Sequence, residues 1–133
     1  MIDHLDHLVL TTTDPEACLD FYTRVLGMQR ETFGDGRTAL RFGNQKINLH
    51  VKGREYEPKA HLPVPGALDL CFIASLPLEA VIAHLERAGV AILEGPVLRT
   101  GAVSRLRSVY VRDPDLNLIE ISEPVAPGGH DAR

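Results

Sequence analysis

The chain has no tryptophan, three tyrosines and four phenylalanines in 133 residues. So few aromatics weigh against a cleft that holds flat ligands by ring stacking. It has two cysteines, Cys18 and Cys71, one on an apolar helix face and one in an apolar strand pattern. Both are expected as reduced core residues, which excludes a disulfide framework. There is no basic excess: 14 Lys and Arg stand against 18 Asp and Glu, a formal charge of −4. A nucleic-acid footprint is therefore not expected. No apolar run approaches the ~20 residues of a membrane span. No basic start precedes an apolar stretch, so no export signal is visible and a cytoplasmic location is expected. The remainder, 44% apolar and 24% charged, is ordinary for one globular domain with a working core.

What the chain does have is a repeat. Leu8-Val-Leu-Thr-Thr-Thr-Asp-Pro15 lies over Leu70-Cys-Phe-Ile-Ala-Ser-Leu-Pro77, an offset of 62 residues. Gly27 and Gly89 each follow the matching proline by 12 residues. Self-similarity of this period marks a duplicated supersecondary unit.

Local patterns say what each unit contains. Leu5–Thr12 is β-branched and loosely alternating, a strand. Asp14 can cap a helix, Pro15 fits its first turn, and the apolar spacing predicts a helix over Glu16–Leu26, ended by Gly27. Strands follow at Met28–Phe33, Thr38–Phe42 and Lys46–Val51, separated by glycine turns. Gly53–Gly66 carries three prolines and reads as a linker or as a loop crossing over a site. The second half repeats the order: strand Leu68–Ala74, helix Pro77–Ala88, proline-interrupted strand pieces Val90–Leu93 and Val97–Arg99, then strands Arg105–Arg112 and Leu118–Ser122. The expected fold is α+β: two βαβββ modules, residues 1–52 and 67–123, forming an open, barrel-like curved sheet with helices outside. Residues 53–66 link them within one domain and residues 124–133 form a loose tail.

The repeat also pairs candidate site residues. His7 corresponds to Asp69, and Asn48, between Ile47 and Leu49, corresponds to Glu120, between Ile119 and Ile121. His50 lies two residues beyond Asn48, on the same strand face. Carboxylates flanked by apolar residues are costly to bury unless paired or bound to a cation. Imidazoles with carboxylates suit one divalent ion (Ni, Zn, Mn, Fe or Co), with His7, His50, Asp69 and Glu120 as ligands. Each also has a plainer reading: His7 as a bonded strand histidine, His50 as an exposed strand end, Asp69 and Glu120 facing solvent or paired with Arg41, Arg99, Arg105 or Arg107. Arg41, Arg105, Arg107 and Tyr110 are candidates to grip a substrate.

Three motifs, Asp6-His7-Leu8-Val9-Leu10, Phe21-Tyr22-Thr-Arg-Val-Leu-Gly27-Met28 and Asp113-Pro-Asp115-Leu-Asn-Leu-Ile119-Glu120, span nearly the whole chain in order. With them the sequence resembles the vicinal oxygen chelate superfamily: glyoxalase I, bleomycin-resistance proteins, fosfomycin-resistance enzymes and extradiol dioxygenases. It is most similar to the small glyoxalase-domain-containing subgroup, through Asn48-Leu49-His50, Pro63-Val-Pro-Gly66 and Asp69-Leu70-Cys71.

The resemblance implies paired modules, a homodimer, and a metal chelated by two neighbouring oxygens of a small-molecule substrate. His7 matches the first family ligand and Glu120 the last. Asp69 stands where relatives usually have histidine, and Asn48 where glyoxalase I has a glutamate implicated in proton transfer. An amide is not a base, so His50, with Glu120, is the candidate catalytic group. The expected function is a metal-dependent lyase or isomerase acting on a small oxygenated metabolite or thiol adduct. The alternatives are a metal-free binding protein of the bleomycin-resistance type and an extradiol-type dioxygenase. Neither nucleic acid nor membrane is expected as a partner.

Overall fold

The computed structural model describes residues 1–126. The elements run β1 (His7–Thr12), α1 (Pro15–Asp20) continued by one wide turn over Phe21–Val25, β2 (Gln29–Phe33), β3 (Arg37–Phe42), β4 (Gln45–Val51), β5 (Asp69–Ile73), α2 (Leu78–Arg87), β6 (Glu94–Thr100), β7 (Arg105–Arg112) and β8 (Leu118–Pro124). Two mixed four-stranded sheets result, ordered β1-β4-β3-β2 and β5-β8-β7-β6. The fold is α+β and is built from two βαβββ modules, as expected. The repeat holds down to register: β1 and β4 run parallel with Leu8 beside Ile47, and β5 and β8 run parallel with Leu70 beside Ile119.

Two compact units divide the chain. Unit 1 is Met1–Leu68 with Asp113–Asn117; unit 2 is Asp69–Arg112 and the described residues from Leu118 on. The expected linker therefore belongs to unit 1. So does the loop between β7 and β8.

Several expectations change in detail. The first helix is not regular to Leu26. The Thr23 hydroxyl donates to Leu19 O at 2.7 Å, and the Leu26 amide reaches back five residues to Phe21 O at 3.1 Å. A hydroxyl bonded into the helical ladder widens the turn. Residues 90–93 form no strand; β6 instead runs through Pro96, at a bulge between Glu94 and Val97. A bulge accommodates a residue that has no amide proton to donate. Cys71 is exposed rather than a core residue, whereas Cys18 is buried with its thiol pushed up to about 12, chiefly by burial. The expected loose tail begins later than Pro124, since β8 includes that residue and Val125 N donates to Arg105 O at 2.9 Å. The remainder of the tail lies outside the described residues.

Unit 1 is organised around a buried carboxyl group. Asp113 is 2% exposed and accepts four hydrogen bonds: from Tyr22 Oη (2.7 Å), Asn117 Nδ2 (2.8 Å), and the amides of Asp115 and Asn117 (2.9 Å each). Two bonds on each oxygen make this buried group an acceptor throughout. The tight loop places Leu116 at φ +71, a conformation side chains seldom adopt. Asp115 continues the anchoring, accepting from the hydroxyls of Thr12 and Thr13 and from Thr13 N at 3.0 Å. Asn117 Oδ1 accepts from Leu68 N at 2.8 Å. A Cβ on Gly66, at φ +83, would come within 2.6 Å of Asp115 O, so only glycine fits there. The Phe21-Tyr22, Asp113-Pro-Asp115 and Pro65-Gly66 segments thus meet in one bonded cluster.

Removing the phenol from this cluster leaves a buried acceptor short of a donor. Tyr22→Phe should cost about 1–3 kcal/mol in urea denaturation; no change in midpoint would show that the bond contributes nothing. Burial pushes Asp115 upward, but its bonds to Thr12 and Thr13 outweigh this and hold it below its ordinary 3.8. A carboxyl lowered in the folded state stabilises above its unfolded value, and that contribution is lost as pH falls through the folded value. Stability should therefore drop below about pH 4, and Thr13→Ala should flatten the drop in denaturation curves taken from pH 5 to 3.

Candidate functional site

Strand alternation sorts unit 1's sheet into two faces. Leu10, Leu40, Ile47 and Leu49 on one face are buried, as are Cys18, Leu19, Tyr22 and Val25 of the helical segment. The other face carries His7, Val9 and Thr11 of β1, Lys46, Asn48 and His50 of β4, Arg37, Ala39 and Arg41 of β3, and Glu31 and Phe33 of β2. In a chain of net charge −4 this face bears Lys46, Arg37 and Arg41 against one acid, Glu31. That acid is taken by Arg41 in a two-pronged pair at 2.8 and 3.1 Å.

Residues 58–68 roof part of this face. The chain leading into the strap is tied by Lys52 N to Thr12 O (3.0 Å), and the strap's end is tied by Leu68 N to Asn117. Beneath it lies a cavity of about 330 Å³ lined by Val9, Thr11, His50, Lys59, Leu62 and Val64, among others. The proline-rich segment, expected as a linker or as a loop crossing over a site, thus passes over a cavity. His50 is 3% exposed and Thr11 8%, and neither side chain has a hydrogen-bond partner among the described residues. Burial first, and the positive Arg37 second, hold the His50 imidazole below its usual value, against the opposing pull of Glu55 and Glu57. The ring is therefore neutral at pH 7, able to donate from one nitrogen and accept at the other.

The neighbours of His50 were not legible as site residues in the sequence. The Tyr56 ring stands edge-on to His50, with centroids 5.6 Å apart, and the Arg37 guanidinium lies 4.4 Å from the Tyr56 ring centre and 5.1 Å from that of Phe33. Arg37 Nε is buried without a hydrogen-bond partner, and so is Asn48 Oδ1. Asn48 is 6% exposed. Unpaired polar atoms at such depth are uncommon in a finished core.

The expected ligand residues fall two in each unit. His7 opens β1 beside Lys46, and its Nδ1 meets Asp6 Oδ2 at 2.8 Å, which leaves Nε2 outward. His50 sits beside Thr11, four residues further along β1, which at ~3.3 Å per residue puts the two imidazoles about 13 Å apart along the sheet. In unit 2, Asp69 is exposed and Glu120 stands beside Cys71 on one strand and Tyr110 on the other. Ser122 Oγ is 3.4 Å from a Glu120 oxygen, 2.6 Å from Ser108 Oγ and 3.4 Å from Cys71 Sγ. Burial pushes the Tyr110 phenol up, with Glu120 adding to this, while Arg99 Nε donates to it at 2.9 Å. Three of the four arginines considered as partners for Asp69 and Glu120 pair with other acids: Arg41 bonds Glu31, Arg99 bonds Glu94, and Arg107 bonds Glu79 and Glu123. Of the residues considered as substrate contacts, Arg41 and Arg107 are thus paired with acids. Among the described residues, no three of His, Cys, Asp and Glu form a group that could hold a metal ion. Within unit 1, His7 and His50 stand four strand positions apart, and no chemical step is drawn through a metal.

A sequence profile of the Glyoxalase/Bleomycin resistance protein/Dioxygenase superfamily matches residues 4–121. This chain belongs to that superfamily. Virulence protein STM3117 of Salmonella typhimurium (strain LT2) is 54% identical over 125 residues, 94% of this chain and 87% of that protein. Its crystal structure superposes with a TM-score of 0.92 over 94% of this chain and 99% of the other. Glyoxalase domain-containing protein RDO1 of Mycosarcoma maydis is 57% identical over 118 residues, 89% of this chain and 66% of RDO1. Lactoylglutathione lyase from Agrobacterium tumefaciens, at 22% identity over 92% of this chain and 94% of its own, shares the glyoxalase-type fold with a TM-score of 0.69.

The unpaired Asn48 oxygen gives a test within this glyoxalase-type domain. A buried acceptor without a donor destabilises the folded state. Asn48→Leu should therefore leave the melting temperature unchanged or raise it. A loss of more than about 2 kcal/mol would mean that Asn48 is held by bonds the fold needs.

Proposed function

We propose that this glyoxalase-superfamily chain is an enzyme of the lyase or isomerase type, acting on a small oxygenated molecule, with His50 as the group that moves a proton. The observation that carries this reading is a neutral, buried imidazole without a hydrogen-bond partner among the described residues, lining a cavity on the most polar face of unit 1. Such an imidazole can take a proton from a carbon beside a carbonyl and return it elsewhere. The strap covers part of the cavity, and Thr11 supplies a hydroxyl to orient an oxygen atom. Asn48, an amide, can bind but not act as the base. The cytoplasm and a homodimer remain part of the proposal. Among the described residues, no helix is long and apolar enough to cross a membrane.

Turnover of a panel of 2-oxoaldehyde–thiol adducts and hydroxy ketones, followed by proton NMR, tests the reading. His50→Gln should lower kcat by about 100-fold or more, the usual scale for losing a general base, and Asn48→Ala should do less. The reverse order, or full activity in His50→Gln, would reject the assignment.

Metal dependence is a separate expectation. His7 favours it, because an imidazole oriented by a carboxyl at Nδ1 is the usual form of a metal-binding histidine. Elemental analysis of protein purified without chelator should then find one divalent ion per chain, lost in His7→Ala. Equal metal content in parent and variant would remove it.

A further inference from the structure

We propose that the cavity under the 58–68 strap binds a small monocarboxylate with a compact apolar tail, its carboxylate on Thr11 and His50 and its tail against Val9, Leu62 and Val64. This names the substrate class for the site proposed above and rests on that reading of His50.

The walls argue for the tail. Val9, Leu62 and Val64, with prolines of the strap, present hydrocarbon, and among the described residues the hydrogen-bonding side chains lining the cavity besides Lys59 and Asn117 are Thr11 and His50. Asn117 has its amide committed to Asp113 and Leu68. Lys59 is paired with Glu57. Thr11 and His50 are left to meet a ligand, and both are more than nine-tenths buried. Both line the cavity, where a ligand's polar group can pair with them.

The polar groups argue for the head. Arg37 reaches the Tyr56 ring that touches His50, and among the described residues it has no carboxylate partner. Lys46 stands on the same face, over Phe33 at 3.6 Å. Of the two acids nearest His50, Glu57 is taken by Lys59, and Glu55 accepts the Gly53 amide at 3.1 Å. Arg37 thus sets a positive charge near His50 against the negative charge of Glu55, so the head group is selected chiefly by the Thr11 and His50 donors. A carboxylate offers two oxygens, one for the Thr11 hydroxyl and one for the imidazole N–H. The volume, about 330 Å³, is at the lower end of the ~300–1,000 Å³ range of ligand sites. The ligand is therefore small.

Titration calorimetry on the whole chain at pH 7.5 tests this with 4-methylpentanoate, 4-methylpentan-1-ol and 4-methylpentylamine. The carboxylate should bind at least tenfold more tightly than the alcohol, and the amine should give no heat of binding. Thr11→Val, which keeps the side chain's shape, should weaken the carboxylate about tenfold, and Ala60→Trp, which fills the cavity from the strap, should abolish binding. Each variant is checked for the parent's circular dichroism spectrum. Equal affinity for acid and alcohol, or carboxylate binding unchanged in Thr11→Val and Ala60→Trp, would overturn the inference. Absence of carboxylate binding with His50-dependent turnover intact would also overturn it, while sparing the reading of His50. Carboxylate binding with the expected variant losses but no turnover would support this inference and count against that reading.

Discussion

A single buried carboxyl organises unit 1. Asp113 accepts four bonds, one from the helical segment through Tyr22 and three from its own loop. Its neighbour Asp115 holds the end of β1 through Thr12 and Thr13, and Asn117 holds the strap through Leu68. The position of the strap over His50 follows from these bonds. So does the unusual backbone at Leu116 and the glycine at 66, where any side chain would strike Asp115. The widened turn at Phe21–Val25 belongs to the same arrangement, since it carries the tyrosine whose hydroxyl reaches Asp113.

The second organising fact is the asymmetry of the duplication. Both modules keep the same strand register, yet they fill it with different chemistry. Unit 1 places imidazole, amide and guanidinium groups on its polar face, with two buried polar atoms unpaired. Unit 2 places Glu120, Tyr110 and two buried serines there, mostly bonded to one another. Satisfied networks hold a structure, whereas unsatisfied ones leave room for a ligand. That contrast is why function is placed on unit 1 and on His50.

Much of the fold was legible in the sequence because it rests on local patterns. Asp14 caps the helix by accepting from Ala17 N, Gly27 takes φ +78 after it, and the two halves repeat the same parallel pairing of first and last strands, although the offset of 62 residues at the first strands has grown to 72 at the last. The errors came where a side chain competes with the backbone, as Thr23 does in the helix, or where a bulge admits a proline, as at Pro96. The site was less legible. His50 was found through alternation, and the strap through its prolines. Arg37 and Tyr56 were not, because a cation stacked between rings depends on contacts between β3 and a loop that no short-range pattern encodes. Nor did the alternation that singled out His50 show how far it stands from His7: four residues of strand separate them.

The most direct test of the central claim is a crystal structure of the whole chain grown with 4-methylpentanoate. The account predicts the carboxylate within hydrogen-bond distance of Thr11 Oγ1 and a His50 ring nitrogen, beneath an ordered 58–68 strap. A ligand bound elsewhere while that cavity holds only water, or a His50 ring turned away into the core, would contradict it.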